Sequence, residues 1–299
     1  MQCWTARMDV PIPRRSAPAR PSFARALVGR FSSGGLRLAA YGLIGATAAV
    51  LLGVLLWRGR SAGVDALAYW LAARTWIAGG DPYSGSCPLC YAYAPWAVPI
   101  FAPWAALPWD WAFGLLRATT LVGLGWSVAW AARRRPMVTA LAFLALSVPI
   151  GINLDTGNIT LPLVLVFWAT SLADSRWAGI AWGLAAGMKW ITLPLWFLLS
   201  RPARRWGAGM LGVTVVASLV LLPATIEQAR TVIHMDRPLP IDYLVVLWGA
   251  VPWLWREPVA TLRRCVARAA WLDAGWQHGV RMWTGRGKVP IGRPDLVEK

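Results

Sequence analysis

Residues 38–57 read LAAYGLIGATAAVLLGVLLW, an unbroken apolar run without one charged side chain. As a helix it reaches about 30 Å, the thickness of the hydrocarbon core of a bilayer. The run therefore predicts a membrane-spanning helix, and it decides the class of the chain. Further uncharged apolar stretches follow outward from it, at 118–132, 137–154, 157–173 and 206–226. The shorter ones need flanking aromatics to reach across, and the chain carries 22 Trp, a residue favoured at bilayer interfaces. An all-α, polytopic transmembrane helix bundle is the expected fold.

The charge balance agrees. Thirty Lys plus Arg stand against 13 Asp plus Glu, for a net charge of +17. Such an excess raises nucleic acid as a partner, but the 57% apolar content and the long uncharged runs do not suit a reader of nucleic acid in the cytosol. Cytoplasmic retention of basic segments explains the excess instead. The expected organisation is a basic cytoplasmic tail at 1–37, a bundle at 38–255 with a large outer loop at 58–110, and a second basic cytoplasmic tail at 256–299 with an interfacial helix. The apolar run begins too late and runs too long for a cleavable signal peptide. Both termini are placed in the cytoplasm and the chain in the inner (plasma) membrane, with anionic lipids as partners of the tails.

Positive-inside bias keeps Arg133, Arg134, Arg135, Arg176, Arg201, Arg204 and Arg205 on the cytoplasmic side if residues 177–200 enter and return. These residues are then two short or re-entrant helices with Lys189 near the outward tip. Smaller outer loops are expected at 151–158 and 223–242.

The large loop holds most of the chemistry-capable side chains. Residues 64–78 read as a helix lying at the interface, closed by Gly79-Gly80 and the Asp81-Pro82 turn. Residues 91–109 carry too many prolines for one regular helix. Asp65 and Tyr69 fall four residues apart on one helix face, so a carboxylate and a phenol converge there, although an acid at a helix start also serves the helix dipole. Asp81 followed by Pro82 and Tyr83 reads as a turn. Lys189 is one of three Lys in a chain that otherwise uses Arg, and it interrupts an apolar segment. An ammonium there faces a cavity or binds an anionic phosphate, or snorkels to the interface.

Asn153, Asp155 and Asn158 suit sugar hydroxyls or the capping of the next helix. Arg117 is a phosphate ligand or an ordinary interfacial arginine. Cys87 and Cys90 lack the second ligand pair that zinc needs, so a local disulfide is expected. His234, beside Asp236, is an accessory candidate. No metal site and no cofactor are expected, and the fingerprints of soluble nucleotide binding are missing.

The order of motifs resembles glycosyltransferase family 87, the polyprenol-phosphate-mannose-dependent mannosyltransferases of the GT-C fold. Asp65 and Tyr69 carry the resemblance, with 78–83 (Ala-Gly-Gly-Asp-Pro-Tyr), 91–95 (Tyr-Ala-Tyr-Ala-Pro), Pro103, Leu107-Pro108, Gly157-Asn158, the run from Gly179 to Lys189, Pro194, and the basic end at Arg204-Arg205-Trp206. It extends over roughly 36–226. The resemblance implies an acidic base at Asp65 and donor-pocket residues at Gly157-Asn158 and Lys189; Tyr69, Asp81, Tyr83, Tyr93 and Arg117 are the further candidates for donor or substrate binding. It also implies a polyprenyl-phosphate sugar donor, a lipid or glycan acceptor on the outer face, and inverting transfer without a metal. The competing class is a transporter or assembly scaffold with Lys189 at a broken-helix binding site.

Overall fold

The computed structural model describes residues 23–59, 62–84, 89–233 and 241–256, and over these the chain is helical without a strand. Cys87, His234 and the C-terminal segment 257–299 lie outside the described residues. Eleven α-helices are present among the described residues: α1 Phe23–Arg58, α2 Val64–Ile77, α3 Val98–Ala105, α4 Trp109–Arg134, α5 Pro136–Ala145, α6 Ser147–Thr156, α7 Thr160–Ala173, α8 Ser175–Met188, α9 Arg201–Val220, α10 Leu222–Ile233 and α11 Val251–Arg256. Three 3-10 segments, Pro95–Ala97, Trp190–Leu198 and Ile241–Ala250, complete them.

Among the described residues two helices, Gly34–Arg58 within α1 and α4, are long and apolar enough to cross a membrane. The count reaches four if α5 with α6, bent by 57°, and α9 with α10, bent by 99°, each form one broken span. The apolar run at 38–57 lies inside α1, and Val50, Leu56 and Trp57 point outward from the bundle. This face suits lipid. The helix begins at Phe23, so the boundary expected at residue 37 falls inside it.

Local chemistry explains the breaks. Arg133 and Arg134 close α4, where cations suit the carbonyl end of a helix, and Pro136 opens α5 at a position that needs no N–H. Pro149 and Pro223 sit just inside α6 and α10, where a missing donor is tolerated but a continuous helix from the preceding turn is not. Asp174 caps α8 by accepting from Arg176 N at 3.0 Å, and Ser200 caps α9 by accepting from Ala203 N at 3.3 Å.

Two expected loops are corrected. Residues 151–158 are mostly the second half of α6, because the Asn153 side chain bonds Pro149 O within the helix at 2.9 Å and the turn comes only at Gly157. Residues 223–242 begin as helix α10. The stretch expected from 118 starts earlier, at Trp109, so Arg117 is carried inside α4.

α8 and α9 pack most closely. Gly179, Gly183 and Gly187 lie along one face of α8, and a side chain on any of them would strike Ala203 and Gly207, Gly207 and Met210, or Thr214 of α9. Small residues at this spacing let helix backbones meet in lipid. Beyond Met188 the chain breaks at Lys189 and folds back, the Trp182 indole donating to Thr192 O at 3.1 Å. The reversal expected within 177–200 is therefore present.

The apolar interior falls into two clusters. One, centred on Ile150, Leu161, Val164, Phe167, Trp168 and Trp248, joins α4, α6, α7 and α8 with the segment Ile241–Ala250. The other is largely aromatic, with Tyr69, Tyr83, Tyr91, Tyr93 and Phe101, and fills the space between α2, α3 and the preceding loop. The functional side chains gather where these clusters meet.

Candidate functional site

Two glycines bring the parts of the site together. Gly63 opens α2 with φ 94° and donates to Asp155 O at 2.7 Å, tying the start of α2 to the end of α6. Gly157 ends α6 with φ 68°, and a β-carbon there would come 2.6 Å from that of Ala66. Left-handed backbone and close approach both require glycine. Asp65 on α2 thereby comes against the turn between α6 and α7.

Asn158 in that turn is the hub. Its Oδ1 accepts from Thr160 N at 3.0 Å, from Thr160 Oγ1 at 2.7 Å and from Lys189 Nζ at 2.9 Å. Two of these partners can only donate, which fixes the orientation of the amide. Nδ2 then faces two carboxylates, Asp65 Oδ2 at 2.9 Å and Asp242 Oδ2 at 3.5 Å. Asn158 thus bonds the first residue of α7 and joins the polar group.

Lys189 occupies the break after α8 in extended backbone and is only 8% exposed. Its Nζ donates to Tyr93 OH at 3.2 Å and lies 4.7 Å from the centre of the Tyr243 ring. Tyr93 OH is 2.8 Å from Tyr69 OH, and the Tyr83 hydroxyl donates to Tyr93 O at 2.7 Å. Asp81 Oδ1 accepts from Tyr83 N at 2.9 Å, so the turn at Asp81 steadies the tyrosine that steadies Tyr93. Burial, before any other cause, pushes the phenols of Tyr69, Tyr83, Tyr91 and Tyr93 up, which keeps them neutral hydrogen-bonding groups.

Asp65, Tyr69, Tyr83, Tyr93, Asn158 and Lys189 are therefore brought together, from segments far apart in sequence. Asp155 and Arg117 have hydrogen-bond partners outside this group. Asp155 takes Arg58 in a two-point ion pair, Nη2 to Oδ2 at 2.9 Å and Nε to Oδ1 at 3.2 Å. Arg117 donates Nε to Leu154 O at 3.3 Å and lies over the Phe113 ring. Cys90 is buried and disulfide-bonded. Among the described residues no group of three or more His, Cys, Asp or Glu gathers in a metal-holding arrangement.

Sequence reasoning missed Asp242 and Tyr243. Asp242 is 7% exposed, and its backbone carbonyl accepts from Asn153 Nδ2 at 3.0 Å. The one available signal was an acid placed directly before an apolar run.

The arrangement offers a carboxylate at the rim and a buried ammonium, with one amide between them. Asp65 is only partly buried, and its Oδ1 takes no protein hydrogen bond among the described residues. Such a pair can accept a proton at one end and hold a phosphate at the other. Residues 91–234 match the family model described as Glycosyltransferase family 87. This stretch, a little under half of the chain, is similar to glycosyltransferase family 87. The match supports a glycosyltransferase, and among the described residues two helices are long and apolar enough to cross a membrane. The family 87 match takes in Tyr93, Asn158 and Lys189, begins after Asp65 and Tyr69, and ends before Asp242. No curated protein and no solved structure matches the chain.

Proposed function

We propose that this glycosyltransferase moves a sugar, mannose by the family resemblance, from a polyprenyl-phosphate donor to an envelope lipid or glycan acceptor. The reaction takes place at the outer face of the inner membrane, with the segments 1–37 and 256–299 in the cytoplasm, on the side of the Arg clusters. The observation that carries this reading is the hydrogen-bonded path from Asp65 through Asn158 to Lys189. A base and a cation held by one amide suit a displacement in which a proton leaves one end and negative charge builds at the other.

In the proposed step the acceptor hydroxyl oxygen bonds the anomeric carbon as the carbon–oxygen bond to phosphate breaks, with inversion. The hydroxyl proton passes to Asp65, and the electron pair leaves with the prenyl phosphate, whose added charge Lys189 meets. The hydroxyl of Tyr93 fixes the ammonium, and Tyr69 fixes Tyr93. The chain's own charges supply both ends of the displacement, and the scheme calls on no metal.

Asp65→Asn keeps the shape and removes the base. A positioned base typically contributes about 10²- to 10⁴-fold in rate, so transfer from radiolabelled polyprenyl-phosphate mannose should drop to background while the purified protein keeps its unfolding temperature. Normal transfer by this variant would remove Asp65 from the chemistry. Binding of the donor without turnover by the unaltered protein would favour the transporter or scaffold class instead.

A further inference from the structure

The transfer scheme leaves Asp242 without a task, although it lies deeper than Asp65. Its Oδ2 and that of Asp65 face the same amide nitrogen of Asn158, at 3.5 Å and 2.9 Å. The next residue, Tyr243, sets its ring 4.7 Å from Lys189 Nζ, so consecutive residues of one segment reach the surroundings of one ammonium. The segment is firmly seated: Val245 and Trp248 are fully buried, and the Trp248 indole donates to Ser127 Oγ at 2.9 Å. The charge of Asp242 is also felt at the Tyr93 phenol, which burial first and then neighbouring charges, Asp242 among them, push up. That phenol is the one that accepts from Lys189.

A lysine as buried as this one sheds its proton unless negative charge shares its pocket. Asp65 is a poor permanent source of that charge, because in the transfer reading it is neutralised each time it takes the acceptor's proton. We propose that Asp242 is the standing counter-charge of Lys189, a positioning residue that keeps the buried ammonium protonated while Asp65 is left to gain and lose the proton. The catalytic consequence rests on the transfer reading; the electrostatic relation between Asp242 and Lys189 does not. The groups around Lys189 include Asp65 on α2 through Asn158, Tyr69 on α2 through Tyr93, Tyr93 itself from the loop before α3, Thr160 of α7 through Asn158, Thr192 on its own segment, and Asp242 and Tyr243 from the segment Ile241–Ala250.

Asp242→Asn removes the charge at constant size. In the purified full chain, the rate at which an N-hydroxysuccinimide ester acetylates Lys189 is followed against pH by mass spectrometry, with Lys288 and Lys299 as internal references. Its midpoint should move to lower pH by about one unit or more in Asp242→Asn, and return in Asp242→Glu. In the sugar-transfer assay both limbs of the pH profile should move toward acid, since losing a negative charge makes every neighbouring proton easier to lose. A purely structural residue would lower activity without moving either limb. An unchanged Lys189 midpoint in a folded Asp242→Asn protein, or an equal shift in Asp242→Glu, overturns the proposal. Should Asp242→Asn unfold, Asp242→Ser, smaller and also uncharged, makes the same comparison. If the unaltered protein transfers no sugar, the transfer reading fails while the Lys189 midpoint still decides the role of Asp242.

Discussion

Asn158 organises three charged side chains with one amide, and the orientation of that amide matters as much as its presence. An aspartate at this position has nearly the same shape but turns the two N–H groups facing Asp65 and Asp242 into a further acceptor and adds negative charge. Asn158→Asp should therefore lower kcat/KM by about 10²-fold or more, the scale of losing a preorganised donor, measured on the purified protein with donor and acceptor varied separately. A variant with unaltered kcat/KM would show that the bridge has no part in the reaction. The tyrosines behind it carry a pH prediction. Their phenols are harder to ionise in the folded chain than in the unfolded one, so the stability that they contribute is intact below pH of about 10 and is lost as pH rises above it. Ultraviolet titration should find the phenolates of Tyr69, Tyr83, Tyr91 and Tyr93 appearing only together with unfolding; earlier ionisation in a folded protein would contradict their burial. Lys189 was legible in the sequence because a cation in an apolar run is costly, and Asp65 with Tyr69 because helical spacing puts them on one face. Asp242 was not, since its one signal, an acid directly before an apolar run, does not distinguish a buried acid from a solvated one.

Among the elements, the pairing of α8 with α9 sets where the break at Lys189 falls. At Gly183 a β-carbon would stand 2.7 Å from Gly207 O and 2.7 Å from Met210 Cβ, and backbone cannot step aside as a flexible side chain can. Gly183→Val should cost about 1–3 kcal/mol and lower the unfolding temperature in detergent, with activity lost as the pair separates. Gly209→Val, where a β-carbon meets nothing within 4 Å, is the matched control. Equal stability of the two variants would mean that the close approach is not tight. The reversal after α8 was legible from the bias of basic residues to one side. The helical character of residues 151–156 was not, because polar residues in a short interval read as a turn. Here they are accommodated by the helix itself and by Asp242 O, a partner far along the chain.

For the whole molecule, the class was legible in the apolar runs, while the number of crossings was not. α7 and α8 are 14 residues each, too short to span alone, and two further runs are bent pairs. Length and composition bound a span; where a chain bends depends on packing that no single stretch contains. Orientation is testable directly. A single cysteine introduced between Arg201 and Arg205 should resist an impermeant thiol reagent in intact cells and react after permeabilisation, and labelling in intact cells would reverse the proposed topology. The hydrogen bonds of the site also bear on how the protein is made. They link positions 65, 93, 158, 189 and 242, so synthesis and insertion must pass the segment Ile241–Ala250 before the polar group is complete. A nascent chain still short of that segment carries an unfinished polar centre, and the group is completed late in synthesis, after most of the described helices have been made.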